Sequence, residues 1–307
     1  MAPLTLWIGF HLLVLALLAL DLGFFHRRAK AITPRNAAVT SALWVLLALA
    51  FDAGIFFRMG AQHALDFFTG YVIEYALSLD NIFVIAVLFR YFRVPDSSQH
   101  RVLVWGVLGA LVMRGSLVAA GAVLLQRFSW ALFLLGLFLI YTGIHMFFHK
   151  PEAMDPEKNP LLRWARRILP LTSDYRGNSF FVRENGRRLA TPLLLVVLAV
   201  EVTDAAFALD SVPAIFAITR DPFIVYTSNV FAVLGLRALY FLLAALLPHF
   251  RYLSHGLAVV LIFVGTKMLV EKWVSISTPV SLLAIAVILA ASLLASRIIP
   301  PTSIPEG

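Results

Sequence analysis

Nine times along this chain an apolar run approaches or exceeds the ~20 residues that a helix needs to cross a hydrocarbon core ~30 Å thick. The runs fall at about 4–25, 38–57, 66–89, 101–125, 130–149, 191–219, 223–247, 254–270 and 279–298. With 61% hydrophobic and only 14% charged residues, the chain has far more apolar surface than a soluble domain of 307 residues can bury. The runs are too long and too uniform for barrel strands, and backbone groups in lipid must be satisfied within their own segment. The expected fold is therefore an all-α polytopic membrane protein of about nine transmembrane helices. The first run has no basic stretch before it, is too long for a signal core, and is followed by Arg27 and Arg28, so it reads as a span rather than a cleaved signal.

Charge orients the spans. Of 25 Lys and Arg residues, 18 fall in one alternating set of loops, including nine in the segment from Lys150 to Arg188. The opposite set holds four (Arg58, Arg127, Arg220 and Lys272), and Arg114, Arg237 and Lys267 lie within spans. The positive side faces the cytoplasm, which puts the N-terminus outside and the C-terminus inside. The net charge of +8 is thus a topology signal, and no nucleic-acid partner is expected. The absence of cysteine removes disulfides and thiolate metal sites.

Between residues 150 and 190 the chain leaves the membrane. Leu161, Leu162, Trp164, Ile168 and Leu169 form an apolar face opposite Arg163, Arg166 and Arg167, the pattern of a helix lying on the membrane surface. Asn185-Gly186 predicts a hairpin turn between Phe180-Phe181-Val182 and Leu189. An ordered connector without chemistry fits this segment as well.

An internal repeat flanks it. Glu74, five residues and Asp80-Asn81 match Asp204, five residues and Asp210-Ser211, with leucine before the second acid in each copy. Arg114 and Arg237 follow in the next spans, then Gly143 and Gly265 in Gly-x-x-Met contexts. Three spans per copy and the charge count make the two copies inverted, an arrangement typical of secondary transporters with a site near the midplane. The chain then divides into two N-terminal helices (1–65), a first three-helix repeat (66–149), a cytoplasmic linker (150–190), a second three-helix repeat (191–271), and a C-terminal helix and tail (272–307).

Five acids lie well within the repeat spans: Glu74, Asp80, Glu201, Asp204 and Asp210. Each costs roughly 2.5–3.5 kcal/mol at mid-bilayer on insertion scales. Salt bridges to Arg114 and Arg237 are the bland explanation, but five acids against two arginines leave negative charge over, which protons or a bound cation would neutralise. Glu201 and Asp204 share a helix face, whereas Glu74/Asp80 and Asp204/Asp210 stand ~120° apart on an ideal helix. Pro213 offers a break that would let the second pair converge and would free the carbonyl of Leu209; Phe83 stands at its place in the first copy. Carboxylates with Asn81, Ser211 and backbone carbonyls are oxygen donors suited to manganese, magnesium or calcium. Asp21 and Asp52, nearer span ends, read as snorkelling to the interface. His145 and Lys267 occupy matching places in the two copies, where a gate or proton carrier competes with a structural role. The glycines at 106, 109, 121, 136, 143, 235 and 265 read as close-packing positions.

The chain resembles the TerC family, and within it the Alx-type members. The resemblance rests on Thr69-Gly-Tyr-Val-Ile-Glu74 running into Leu79-Asp80-Asn81, on Arg101-Val-Leu-Val-Trp-Gly-Val-Leu-Gly109 ahead of Arg114, and on Phe180-Phe-Val-Arg183 with Asn185-Gly186 and Ala190-Thr-Pro192. It continues through Glu201, Asp204, Leu209-Asp210-Ser211-Val-Pro213, Asp221-Pro-Phe223 and Thr227-Ser-Asn229. It implies a relative of cation and amino-acid exporters, tied to manganese efflux and tellurite resistance. It also implies that Asp80 and Asp210, with Glu74 and Asp204, handle the metal. His145 departs from the lysine expected there.

The function expected is export of a divalent cation, most simply Mn2+, across the bacterial plasma membrane by alternating access. Glu201, Asn81 and Ser211 would complete the site, and Arg114 and Arg237 would balance charge when it is empty. Proton coupling is compatible with emptied acids in a low-dielectric site. No enzyme activity and no tightly bound cofactor are expected, and no nucleotide-binding motif is present. A membrane scaffold in a metal-stress or tellurite-resistance complex, or an amino-acid exporter, are the alternatives. A homo-oligomer is compatible with the sequence.

Overall fold

The computed structural model describes residues 3–26, 34–128, 130–148, 170–184, 186–243, 252–270, 273–274 and 276–298; for 22–26, 34, 80 and 83 it describes the backbone course only. Among these residues nine helices are long and apolar enough to cross a membrane. They are α1 (Leu4–His26), α2 (Pro34–Met59), α3 (Ala61–Tyr91), α4 (Asp96–Arg127), α5 (Ala131–Phe148), α6 (Pro192–Phe216), α7 (Pro222–Leu243), α8 (Leu253–Val270) and α9 (Thr278–Ile298). The surface expected for a lipid-facing protein follows: Leu12, Leu15, Leu46, Phe57, Leu283 and Leu294 all point outward.

Local chemistry sets the boundaries. Gly60, at φ 95°, turns the chain between α2 and α3 in a backbone region that side chains disfavour. Helix α4 starts at Asp96 rather than near residue 101, because Pro95 ends the preceding loop and Asp96 suits the first turn. Helix α6 opens with Pro192 and ends at Phe216, three residues before the end expected. Helix α7 opens with Pro222, and Asp221 caps it by accepting from the Phe223 amide at 2.8 Å.

Helix α7 is the axis of the bundle, buried from Phe223 to Tyr240 at every position but Tyr226. It packs against α2, α3 and α4, and α4 and α3 pack in turn on α6. Helices α5 and α8 form a flanking pair, and α9 lies on α8. Each helix of α3–α5 therefore meets its counterpart in α6–α8: α3 on α6, α4 on α7, α5 on α8. The cross-contacts α3 on α7 and α6 on α4 are likewise reciprocal.

Two of these pairs are antiparallel by their contacts. Gly136 approaches Gly265, while Gly143 approaches Ala258 and Ile262. Asn81 meets Asp204, while Gly70 meets Ile215. At Gly143 and Gly265 a side chain would stand 2.7 and 2.6 Å from the opposing carbonyls of Ala258 and Gly136, so glycine is what lets the α5 and α8 backbones touch.

The expected hairpin forms. Strands β1 (Phe181–Glu184) and β2 (Arg187–Ala190) pair antiparallel, with Gly186 at φ 77° in the turn. The segment leading into it docks on the α3–α4 loop and the first turns of α4: the Tyr175 hydroxyl donates to the Phe92 carbonyl at 2.7 Å, Ser98 donates to Asn178 at 2.7 Å, and the Arg101 guanidinium stacks 4.8 Å from the Phe180 ring centre. This end of the bundle is the linker face. The surface helix expected over 161–169 lies outside the described residues.

Candidate functional site

The site is built from a spacing of seven. Seven residues are nearly two helical turns, so Glu74 and Asn81 share one face of α3, and Asp204 and Ser211 share one face of α6. Because the helices run antiparallel, each acid meets the small polar residue of the other copy. Asn81 Nδ2 donates to Asp204 Oδ1 at 3.1 Å, and Glu74 lies against Ser211. All four side chains are buried.

Arg114 of α4 is inserted into this square and is fully buried. Its Nη1 donates to Glu74 Oε1 and to Asn229 Oδ1, with Ser211 Oγ at 3.5 Å. Its Nη2 and Nε reach the two oxygens of Asp204 at 3.0 and 3.4 Å. One guanidinium thus bridges an acid from each copy, and with both acids ionised the trio carries one net negative charge. Glu74 Oε2, Asn81 Oδ1 and Asn229 Nδ2 are buried without a hydrogen-bond partner among the described residues. Groups buried in this way call for a missing partner.

Several expectations need correction. The pairing Glu74/Asp80 and Asp204/Asp210 required the helix to unwind, with Pro213 as the means. Helix α6 is unbroken from Pro192 to Phe216. Pro213 stands in its last turn, where one lost backbone bond is tolerated because the helix is about to end. In an intact helix the seventh residue joins the acid's face and the sixth does not. Asp210 accordingly leaves the cluster and meets the Thr142 hydroxyl of α5. Asp80 lies in α3, with its side chain outside the described part. Glu201 lies half-buried on α6 with its carboxylate against Gly109 of α4.

Arg237 does not join the acids of the repeats as charge balance; it forms an ion pair with Asp21 of α1. Asp21 therefore does not snorkel: its side chain is 12% exposed and is paired with the arginine inside the bundle. Asp52 is half-buried, and its Oδ1 is buried without a hydrogen-bond partner among the described residues. Lys267 is buried and donates to Ser281 of α9 at 3.0 Å, whereas His145 is exposed beside Tyr141. The antiparallel packing of α5 and α8 sets these two at opposite ends of the pair.

Sequence reasoning missed Asn229 as a site residue. Its signal was there: Thr227-Ser228-Asn229 is a polar run inside an otherwise apolar span, and all three side chains are fully buried.

Among the described residues no three Asp, Glu or His side chains converge on one point as a metal cage would require. The oxygens that do converge are two carboxylates, the Asn81 and Asn229 amides and the Ser211 hydroxyl, together with the Arg114 cation.

The model of the TerC family of integral membrane proteins matches residues 59–303. The chain belongs to the TerC family. A membrane protein of Myxococcus xanthus, STKORF319, is 51% identical over 293 residues, covering 95% of this chain and 92% of its own. A protein of Escherichia coli K12, named as a candidate membrane-bound redox modulator, Alx, is 47% identical over 287 residues, covering 90% of this chain and 89% of its own. A membrane protein of Rickettsia felis is 37% identical over 292 residues. No solved structure matches. The TerC match takes in Glu74, Arg114, Asp204, Asn229 and Arg237 and leaves α1, with Asp21, outside it. This TerC-family chain is a multi-pass integral membrane protein of a family with bacterial members, in contact with the lipid bilayer.

Proposed function

We propose that this protein exports a divalent cation, manganese in the first instance, by alternating access between two inverted three-helix units, α3–α5 and α6–α8. The observation that carries the reading is the buried square of Glu74, Asn81, Asp204 and Ser211 with oxygen acceptors left over at Glu74 and Asn81. A structural ion pair needs no such surplus; a hard cation or a proton uses it. Arg114 is then the resident cation of the empty site, and an arriving ion displaces it from one or both acids. Asp80 and Asp210 would serve the same ion one step along the path, and Glu201, one turn from Asp204 toward the linker face, would feed or protonate it. The charge distribution supports a plasma-membrane orientation with the linker face in the cytoplasm.

A scaffold reading draws on the same ion pairs, since Arg114 satisfies much of both acids. The name redox modulator, carried by the Alx relatives, points to another effect. With no cysteine in the chain, its own residues cannot support thiol–disulfide exchange. Manganese uptake into everted vesicles separates these readings. Glu74→Gln and Asp204→Asn are expected to reduce it at least about tenfold at unchanged protein level, the size expected when a charged ligand is lost. Normal uptake by both variants would leave the scaffold.

A further inference from the structure

The two arginines that follow the acid motifs occupy different kinds of place. Arg114 closes over Glu74 and Asp204; Arg237 is paired with Asp21. Their backbone positions are nevertheless equivalent. Helices α4 and α7 pack so that Arg114 stands level with Asn229, while Arg237 stands level with Val104 and Val107. One arginine thus enters the bundle from the end opposite the linker, and the other from the linker face. The exchange of partners between the copies, Asn81 with Asp204 and Ser211 with Glu74, gives the centre an approximate two-fold symmetry. That symmetry offers either arginine the same acids.

What breaks the symmetry is α1. It belongs to neither repeat and lies outside the family match, and it brings an acid to Arg237. We infer that Asp21 is a positioning residue, which draws Arg237 off the carboxylate centre in this conformation so that Arg114 closes it, and that the two arginines exchange roles in the opposite-facing conformation. The inference rests on the alternating-access reading above. In the exchanged state Arg237 bridges Glu74 and Asp204 from the linker face, and Arg114 withdraws. Asp21 then loses its partner, so its charge sets the balance between the two states.

The exchange cannot be a simple side-chain swing. Among the described residues, the cavity beside the ion pair is about the size of a water molecule, walled by Leu18, Val107, Leu108 and Leu234. Arg237 can reach the centre only if α7 or α4 moves against its neighbours, which is the rocking of one unit on the other that inverted repeats allow.

The chain has no cysteine, so single cysteines report cleanly. Thr69→Cys places a thiol on α3 toward the end away from the linker, and Thr203→Cys places one on α6 toward the linker face; both positions are buried here. Each is combined with Asp21→Asn in purified protein in liposomes without manganese, and labelling by a membrane-impermeant thiol reagent is followed from each side. The expected result is a one-sided shift, Thr69→Cys gaining reactivity by about fivefold or more while Thr203→Cys, already buried, stays protected. Asp21→Glu should keep the pattern of the parent. No shift, or a rise at both positions, would overturn the inference, the latter because it marks mere loosening of α1. Manganese flux is measured on the single-cysteine proteins that keep Asp21. Flux without a labelling shift sinks the arginine exchange alone, and a shift without flux sinks the export reading.

Discussion

At the residue scale the decisive group is Arg114. A fully buried guanidinium is tolerated here because two carboxylates, a hydroxyl and the Asn229 amide oxygen take its N–H groups. Removing it strands two buried acids, so Arg114→Met is expected to destabilise the protein by roughly 3–5 kcal/mol. Thermal unfolding in detergent reads this directly. Adding Glu74→Gln and Asp204→Asn should recover most of the loss, since neutral amides no longer need the cation. If the triple variant is no more stable than the single one, the two acids are not what Arg114 neutralises. Lysine is no substitute, because a point charge cannot span both acids as the planar fork does. Asn229→Leu leaves one guanidinium N–H without its acceptor and should cost about 1–3 kcal/mol in the same measurement. The acids at 74 and 204 and the arginine at 114 were legible as isolated charges in apolar runs. Asn229 was harder to see, because a neutral amide in a span carries less cost than a charge and so less signal.

At the element scale, helix register explains what the sequence misled on. The repeat draws the eye to the acid six residues after Glu74 or Asp204, yet an unbroken helix puts the seventh residue on the acid's face. Pro213 suggested otherwise, and only its distance from the helix end decides whether proline breaks a helix or finishes one. The hairpin joining β1 and β2 was legible because its turn chemistry is local. The Asp21–Arg237 pair was not, since it joins residues on the first and seventh helices and follows from packing alone. Close packing of α5 on α8 makes its own prediction. At Gly265 an added Cβ would stand 2.6 Å from the Gly136 carbonyl, with backbone rather than a yielding side chain in the way. Gly265→Val should therefore separate the two helices and lower the unfolding temperature and the yield of monodisperse protein. Gly54→Val, at a position with nothing within 4 Å, is the control expected to change neither.

At the scale of the whole molecule, the question is whether the two trios are inverted. The contacts argue for it: α3 on α6 and α5 on α8 are antiparallel pairs between counterparts, and the acids exchange partners across them. If the nine helices each cross the membrane once, the chain's two ends lie on opposite sides. On the lysine and arginine count, the linker and the C-terminus are expected on the cytoplasmic side. Single cysteines at Ala2 and Ser303 in the cysteine-free chain should then label from opposite sides of intact cells, with Ser303 reached only after permeabilisation. Labelling of both from one side would mean an even number of crossings. That would point to one apolar run lying along the membrane rather than across it. A missed crossing in α1 or α2 would leave the central square intact, whereas one within α3–α8 would conflict with the antiparallel contacts around Arg114. The experiment therefore tests the orientation of the bundle, and the antiparallel contacts would place a missed crossing outside α3–α8.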